Sequence, residues 1–281
     1  MDVKTIAVCG AGTMGAGIAQ VAAAAGYRTL LFDADAAALE KGLTMVRQNL
    51  QQGVTKGKLS PGKMEATLER LQTVTAVEAC VADVVIEAIV EQVPAKTALF
   101  NSLARVNNTG TIFATNTSSL SVSAIAAGIP HPERVAGMHF FNPAHLMQLV
   151  EIVRGQQTAN TAFDILFHLA KAMGKTPVSV KDSPGFIVNR VARHYYLEAM
   201  QVAAAGVADI AVIDRLLEAA GFRMGPFALM DLIGNDVNYA VTTSLYEAFN
   251  RAPRFKPGPM QADKVANGEL GRKTGKGFYN Y

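Results

Sequence analysis

The sequence predicts an α/β protein, a Rossmann-like doubly wound sheet domain followed by an all-α C-terminal domain. Three observations predict it. Short apolar runs alternate with helical stretches through the first half of the chain, as a parallel sheet covered on both faces requires. The first run leads straight into Gly10-Ala11-Gly12-Thr13-Met14-Gly15, a turn of the kind that joins strand to helix in dinucleotide-binding folds. Beyond residue 184 strand-like runs cease and helical periodicity takes over.

Taken in order, residues 4–9 form a strand and 14–25 a helix that begins near Thr13. Residues 28–32 form a second strand running into Asp33, and 36–52 a long amphipathic helix. A third strand, DVVIEA at 83–88, is followed by a helix over 94–106; strands at 111–115 and 134–140 come next. QLVEIV at 148–153 offers a further strand and 178–180 the last. The cluster Asp182-Ser183-Pro184-Gly185 then breaks the pattern, with Ser183 suited to a helix N-cap and Pro184 to the first helical position. Helices follow over 186–205, 209–220 (closed by Gly221), 236–250 and 260–267, with an ordered Pro-rich loop at 251–259. The expected domains are therefore 1–183 and 184–281.

The 281 residues suit one large domain or two smaller ones. Half are apolar and 17% charged, which argues for a globular protein. Lys plus Arg is 26 against 23 for Asp plus Glu, too small an excess for nucleic-acid wrapping. The longest low-polarity stretch, 14–26, falls short of a membrane span. KTIAVCG near the start reads as a strand and not as a cleavable leader. Cys9 and Cys80 make no disulfide framework. A cytoplasmic, reduced, soluble protein without a metal site, nucleic acid or membrane among its partners is expected.

Within the glycine turn, Gly10 permits the tight bend, Gly12 lets backbone approach a pyrophosphate and Gly15 lets helix pack on strand. Thr13 and Met14 stand at the helix N-terminus, where N–H groups and partial positive charge meet phosphate. Asp33 follows Gly10 by 23 residues, near the spacing of about 20 at which an acid accepts from a ribose 2′-OH and repels a 2′-phosphate. NAD is therefore favoured over NADP. The plain alternative is a glycine-rich turn that packs helix on strand without ligand.

Of the five histidines, four have bland explanations: His131 and His145 in turns, His168 and His194 in helices. His139 ends the apolar strand VAGMHF, at the carboxyl edge where doubly wound sheets place ligands. If that strand pairs antiparallel with 148–153 about a turn centred on His145, facing positions sum to 290, as those of His139 and Glu151 do. Facing side chains share one face with Cβ atoms ~5 Å apart. A carboxylate there fixes the imidazole tautomer and stabilises imidazolium, making a general base with an orienting acid. A buried pair that merely ties a hairpin together is the alternative.

Asn116-Thr117-Ser118-Ser119 follows a buried strand and should emerge at the same edge, although Ser119 or Ser121 could equally cap the next short helix. Asn189 could face into a cleft or cross-link its own helix. Between Lys41 and Lys63 stand five basic residues and no acid. Such a run is either a solvated helix face or a landing site for a phosphorylated substrate tail.

With these motifs assembled, the sequence resembles the short-chain L-3-hydroxyacyl-CoA dehydrogenase family, including bacterial 3-hydroxybutyryl-CoA dehydrogenases. The matching strings are GAGTMGAGIAQ (10–20), IEAIVE (86–91), NTSSL (116–120), HFFNPAHLMQLVEIV (139–153), DSPGFIVNR (182–190), MGPF (224–227) and GRKTGKGFY (271–279). The resemblance spans essentially the full length and is to the stand-alone enzymes, without a fused hydratase domain. It implies that His139 is the catalytic base and Glu151 its partner. It implies further that Ser118 contacts both substrate oxygen and nicotinamide region, and that Asn189 holds the acyl portion. Glu91, Lys96, Asn142 and Lys273 match positions around the nicotinamide cofactor, and Asn116 lies beside them. Lys56 and Asn49 match coenzyme A-contacting positions, although relatives usually carry Ser in place of Asn49. His145, after FFNPA, stands where many relatives have Pro, and Arg223 before MGPF departs similarly. FRMGPF and DLIGNDVNYAVT look closer to dehydrogenases of aromatic-acid catabolism.

The implied activity is reversible oxidation of an (S)-3-hydroxyacyl-CoA to a 3-oxoacyl-CoA with NAD. The alternatives are a 3-hydroxyadipyl-CoA-type dehydrogenase of phenylacetate catabolism and a non-enzymatic NAD-binding structural or sensory protein. A β-hydroxyacid dehydrogenase of the 6-phosphogluconate type is disfavoured by Asp33 and by the His139–Glu151 pairing. Family members commonly dimerise through the helical portion, so a homodimer is expected.

Overall fold

A computed structural model describes residues 2–281. The chain divides into two compact units, Met1–Ser183 and Pro184–Tyr281.

The first unit is built on one eight-stranded sheet. Its strands are β1 (Thr5–Cys9), β2 (Arg28–Phe32), β3 (Leu71–Val74), β4 (Val84–Glu87), β5 (Ile112–Thr115), β6 (Val135–Phe140), β7 (Leu149–Arg154) and β8 (Thr176–Lys181). They lie in the order β3-β2-β1-β4-β5-β6-β7-β8. All pair in parallel except β6 with β7. The helices of this unit are α1 (Thr13–Ala24), α2 (Ala36–Thr55), α3 (Pro61–Arg70), α4 (Val93–Val106), α5 (Val122–Ala126) and α6 (Asn160–Ala172). Chain order runs outward from β1 to β3 on one side and from β4 onward on the other. The turn after β1 therefore stands at the switch point, where open α/β sheets leave a crevice.

The continuous apolar runs have the expected consequence: VVIE and IFAT are buried at every position. One apolar cluster includes Ile6, Val8, Ile18, Leu31 and Ile86, and a second includes Ala7, Cys9, Leu30, Phe100 and Phe113. Alternate residues of a strand point to opposite faces, so β1 supplies both clusters. Cys9 and Cys80 are free and buried in the second. Their mutual hydrogen bond, then burial, pushes the Cys9 thiol well up.

The second unit is helical: α7 (Val188–Ala204), α8 (Ile210–Ala219), α9 (Pro226–Ile233), α10 (Asn235–Ala248) and α11 (Pro259–Ala266). Its core gathers Tyr196, Leu197, Met200, Phe227 and Met230. Asp231, 1% exposed, ties the end of the chain down. It accepts from the backbone N–H groups of Phe278 and Tyr279, both at 2.9 Å.

Several sequence expectations need correction. Ser183 and Pro184 do not start a helix; α7 begins at Val188. Gly185 (φ +71°) and Phe186 (φ +50°) both adopt left-handed backbone that a helix cannot include. Asn189 consequently lies in the first turn of α7. Residues 61–70 and 71–74 form α3 and β3, and 226–233 form α9, elements that the sequence pattern did not predict.

Candidate active site

The ends of β1, β2, β4, β5 and β6 and the turns after them build the carboxyl edge of the first unit. At β1 the chain leaves through Gly10, whose φ is +105° and where an added Cβ would lie 2.6 Å from the Ala88 carbonyl oxygen. At Gly15 an added Cβ would lie 1.7 Å from the Gly10 carbonyl oxygen, so helix and turn touch there without room for a side chain. Gly12 differs: a Cβ there would meet nothing within 4 Å. Gly12 is also the N-cap of α1, with no side-chain cap bond and no acid in the first turn. The first N–H groups of α1, Thr13 and Met14 included, carry the partial positive charge of a helix N-terminus, which suits a pyrophosphate. Asp33 sits beside this turn, accepting from Ala11 N at 2.8 Å and from Asp35 N at 3.0 Å. On these observations the residues present fit NAD.

At β4 the strand ends on Glu87, a fully buried carboxylate. Its Oε1 accepts from Lys96 Nζ at 2.6 Å and Ile89 N at 2.7 Å, and its Oε2 from Thr115 Oγ1 at 2.7 Å. A buried charge survives only when paired and hydrogen-bonded, and both conditions are met. Lys96, in the first turn of α4 and 1% exposed, also approaches Glu91 at 3.2 Å. Glu91 in turn gathers the segment after β5. Its Oε1 accepts from Thr117 Oγ1 (2.7 Å), Ser118 N (2.8 Å), Ser119 N (3.1 Å), and the Ser118 and Ser119 hydroxyls (3.2 Å each). Burial alone would raise the Glu91 carboxyl, but Lys96, Thr117 and Ser118 outweigh it and hold it below its ordinary value. Ser121, not Ser119, caps α5, accepting from Ala124 N at 3.2 Å.

At β6, Asn116 Oδ1 accepts from Phe140 N at 2.8 Å, clamping the NTSS segment to the strand that carries His139. The antiparallel register of β6 with β7 places His139 opposite Glu151, in the pairing that sums to 290. His139 Nδ1 lies 2.7 Å from Glu151 Oε2. Glu151 is fully buried and His139 is 5% exposed. The Phe141 ring lies 4.5 Å from the imidazole, centroid to centroid. This arrangement can hold and deliver one proton at a fixed point on a sheet edge. Asn142 lies exposed on the turn just beyond.

The coenzyme-contacting candidates Asn49 and Lys56 lie elsewhere in the same unit. They line a 620 Å³ cavity formed with residues of α1, the end of α6 and the 145–148 segment. Asn49 Nδ2 donates to Gln20 Oε1 at 3.1 Å. Asn189 and Lys273 belong to the second unit, where Lys273 Nζ is held by Asp236 at 2.6 and 2.7 Å. That hydrogen bond and the Lys273 charge overcome the burial of Asp236 and hold its carboxyl below its ordinary value.

Sequence reasoning missed Glu87, although an acid closing an otherwise apolar strand was the available signal. Among the described residues no group of His, Cys, Asp and Glu could hold a metal ion, and no helix is long and apolar enough to cross a membrane.

Residues 5–183 match the family model described as 3-hydroxyacyl-CoA dehydrogenase, NAD binding domain, and residues 185–281 that described as 3-hydroxyacyl-CoA dehydrogenase, C-terminal domain. The chain is 50% identical over 283 residues to a 3-hydroxyadipyl-CoA dehydrogenase of Escherichia coli K12, covering all of this chain but 60% of that relative. It is 42% identical over 284 residues to a probable 3-hydroxybutyryl-CoA dehydrogenase of Bacillus subtilis strain 168, covering all of this chain and 98% of the relative. The crystal structure of an (S)-3-hydroxybutyryl-CoA dehydrogenase from Ralstonia eutropha superposes with a TM-score of 0.95 at 38% identity, covering 100% of this chain and 99% of that one.

Proposed function

This chain belongs to the 3-hydroxyacyl-CoA dehydrogenase family, and on that premise we propose that it interconverts an (S)-3-hydroxyacyl-CoA and the corresponding 3-oxoacyl-CoA. The observation that carries the reading is the 2.7 Å contact between His139 and Glu151, on a sheet whose switch point carries a turn fitted to a dinucleotide.

NAD, when bound, supplies the acceptor for the hydride that leaves C3 of the alcohol. The backbone of Gly10, Gly12 and Gly15 and the N–H groups at Thr13 and Met14 would hold its pyrophosphate, and Asp33 its ribose. Glu91, Lys96, Asn116, Asn142 and Lys273 are the residues proposed around its nicotinamide end.

His139 takes the hydroxyl proton as the C3–H bond breaks and the carbonyl forms. With Nδ1–H donating to Glu151, the basic nitrogen is Nε2. Glu151 stabilises the imidazolium, in a buried site where such stabilisation exceeds what water would allow. In the reverse direction His139 returns the proton to the alkoxide oxygen. Ser118 is proposed to hydrogen-bond the substrate oxygen, and Asn189 to hold the acyl portion. Asn49 and Lys56 would meet the coenzyme A moiety.

The 50% identity to a 3-hydroxyadipyl-CoA dehydrogenase supports a second reading of the acyl chain, a dicarboxylic one, beside the four-carbon chain. We propose further that the protein is a cytoplasmic homodimer; sedimentation of the purified chain would test the dimer.

NADH consumption with acetoacetyl-CoA, run beside free acetoacetate and with NADPH replacing NADH, tests the activity. Oxidation of NADH with the thioester, and little with the free acid or with NADPH, is expected. No oxidation with any 3-oxoacyl-CoA, straight-chain or dicarboxylic, would overturn the reading in favour of a non-catalytic NAD-binding protein.

A further inference from the structure

The 620 Å³ cavity holding Asn49 and Lys56 has a second wall that neither spacing nor resemblance assigned. Its size lies within the range of about 300–1,000 Å³ usual for small-molecule sites. Its lining includes Lys56, Lys58, Lys175 and His145, and no Asp or Glu. A concave site lined by one sign of charge concentrates ligands of the other, so an anion is the ligand chemistry it fits.

Two local devices bring these groups together. At the end of α2, Gly57 takes a left-handed φ of +65°, and both Lys58 N (2.9 Å) and Leu59 N (3.2 Å) then bond back to the Gly53 carbonyl. The chain reverses there, so Lys58 returns to the rim that Lys56 already occupies. At the end of α6, Gly174 (φ +72°) makes the equivalent reversal, with Lys175 N bonded to the Ala170 carbonyl at 2.9 Å. That turn sends the Lys175 side chain under the 144–148 segment. Its ammonium donates to Ala144 O at 2.6 Å and to Met147 O at 2.8 Å, and the residue is 8% exposed.

The segment so held is also fixed from below. Ala144 is buried against α1, where a Cβ added at Gly17 would come 3.2 Å from the Ala144 Cβ. Leu146 N and Met147 N both bond to Pro143 O at 3.0 Å. His145, half-buried, is thus carried into the cavity wall on a segment pinned at both sides of it. Burial, then the Lys175 charge, pushes its imidazole below the ordinary value. Its imidazole presents a hydrogen-bonding nitrogen to the cavity.

We propose that His145 and Lys58 form part of the subsite for the phosphate-bearing portion of a coenzyme A thioester, with Lys175 a positioning residue that holds His145 there. The proposal rests on the acyl-CoA reading above and extends it to residues that reading does not include. Lys58 contributes charge at the mouth, His145 a directed hydrogen bond from the wall, and Lys175 the two carbonyl contacts that keep the wall in place.

The test compares acetoacetyl-CoA with the acetoacetyl thioester of N-acetylcysteamine, which keeps the reacting acyl group but lacks the nucleotide and its phosphates. For His145→Ala and for Lys58→Ala, the ratio of kcat/KM for the full thioester to that for the truncated one should fall about three- to ten-fold, the worth of one ordinary hydrogen bond or partly screened charge contact. Lys175→Met should lower the ratio similarly through KM for the coenzyme thioester, and Lys175→Arg, which can still donate to both carbonyls, should restore most of it. Calorimetric titration of free coenzyme A gives a readout independent of turnover and should show the same loss for His145→Ala. Ratios equal to wild type in His145→Ala and Lys58→Ala would overturn the proposal while leaving the activity reading intact. A wild-type protein that neither turns over either thioester nor binds coenzyme A would overturn both.

Discussion

The carboxyl edge of the sheet and the basic cavity belong to the same unit yet handle charge in opposite ways. At the edge, Glu87 and Glu151 are fully buried, and each has a short contact to a specific cation or imidazole. In the cavity, Lys56 and Lys58 are exposed and no carboxylate lines the wall with them. A buried charge must be paired before any ligand arrives, so the edge is pre-organised and rigid, as proton transfer at a fixed point demands. An exposed lysine tolerates having no partner because water solvates it, so the cavity can wait for an anion to supply the countercharge. The difference teaches which residues should alter chemistry and which only affinity.

That contrast can be broken at several points. His139→Ala should lower turnover by about 10²–10⁴-fold with NADH binding intact, measured by steady-state rates beside NADH fluorescence titration; lost cofactor binding would instead make His139 a structural residue. Lys96→Met leaves Glu87 buried without its cation and should cost about 3–5 kcal/mol, read as a fall in Tm of the order of 10 °C. An unchanged Tm would contradict the pre-organised edge. Asp33→Asn keeps the acceptor for Ala11 N but removes the charge facing a 2′-phosphate, so the preference for NADH over NADPH should shrink about tenfold. Lys56→Ala should change least: a several-fold rise in KM for the coenzyme thioester that vanishes at high salt, with kcat and Tm unmoved.

A pH titration sharpens the same contrast. The folded carboxyl of Glu91 lies below its ordinary value, so its contribution to holding the Thr117–Ser119 segment is complete above the unfolded carboxyl range. It is lost only as pH falls through the lower, folded value. Hydrogen exchange at Ser118 N and Ser119 N should therefore stay slow through mild acid and accelerate below it. Acceleration already above the ordinary carboxyl range would contradict the network.

How much of this was legible in sequence depended on whether a local rule had a competitor. The β6–β7 register was readable because strand side chains alternate strictly and one turn connects the two strands. The glycine turn was readable because each glycine answers a separate steric demand. β3 was not, because LQTV has a single buried residue and is too short to show alternation. α3 was signalled only by Ser60 and Pro61 at its start, where the basic run gives way to a mixed stretch with Glu65 and Glu69. The start of α7 was misplaced because Ser183-Pro184 has the chemistry of a helix start, and only the left-handed backbone at Gly185 and Phe186 reveals that the chain turns once more first. Lys175 and His145 were passed over for a different reason: their roles depend on which carbonyls and helices surround them, which no spacing within the chain encodes.

The central claim is that His139 and Glu151 act as one acid–base unit, and a double-mutant cycle in NADH oxidation with acetoacetyl-CoA tests it most directly. Glu151→Gln alone should lower kcat by about 10²-fold or more, because a neutral amide cannot stabilise imidazolium. Groups that act as a unit lose their effect together, so the double variant His139→Ala with Glu151→Gln should be no slower than His139→Ala alone. Losses that multiply in the double variant would contradict the account, since Glu151 would then act independently of the imidazole it faces.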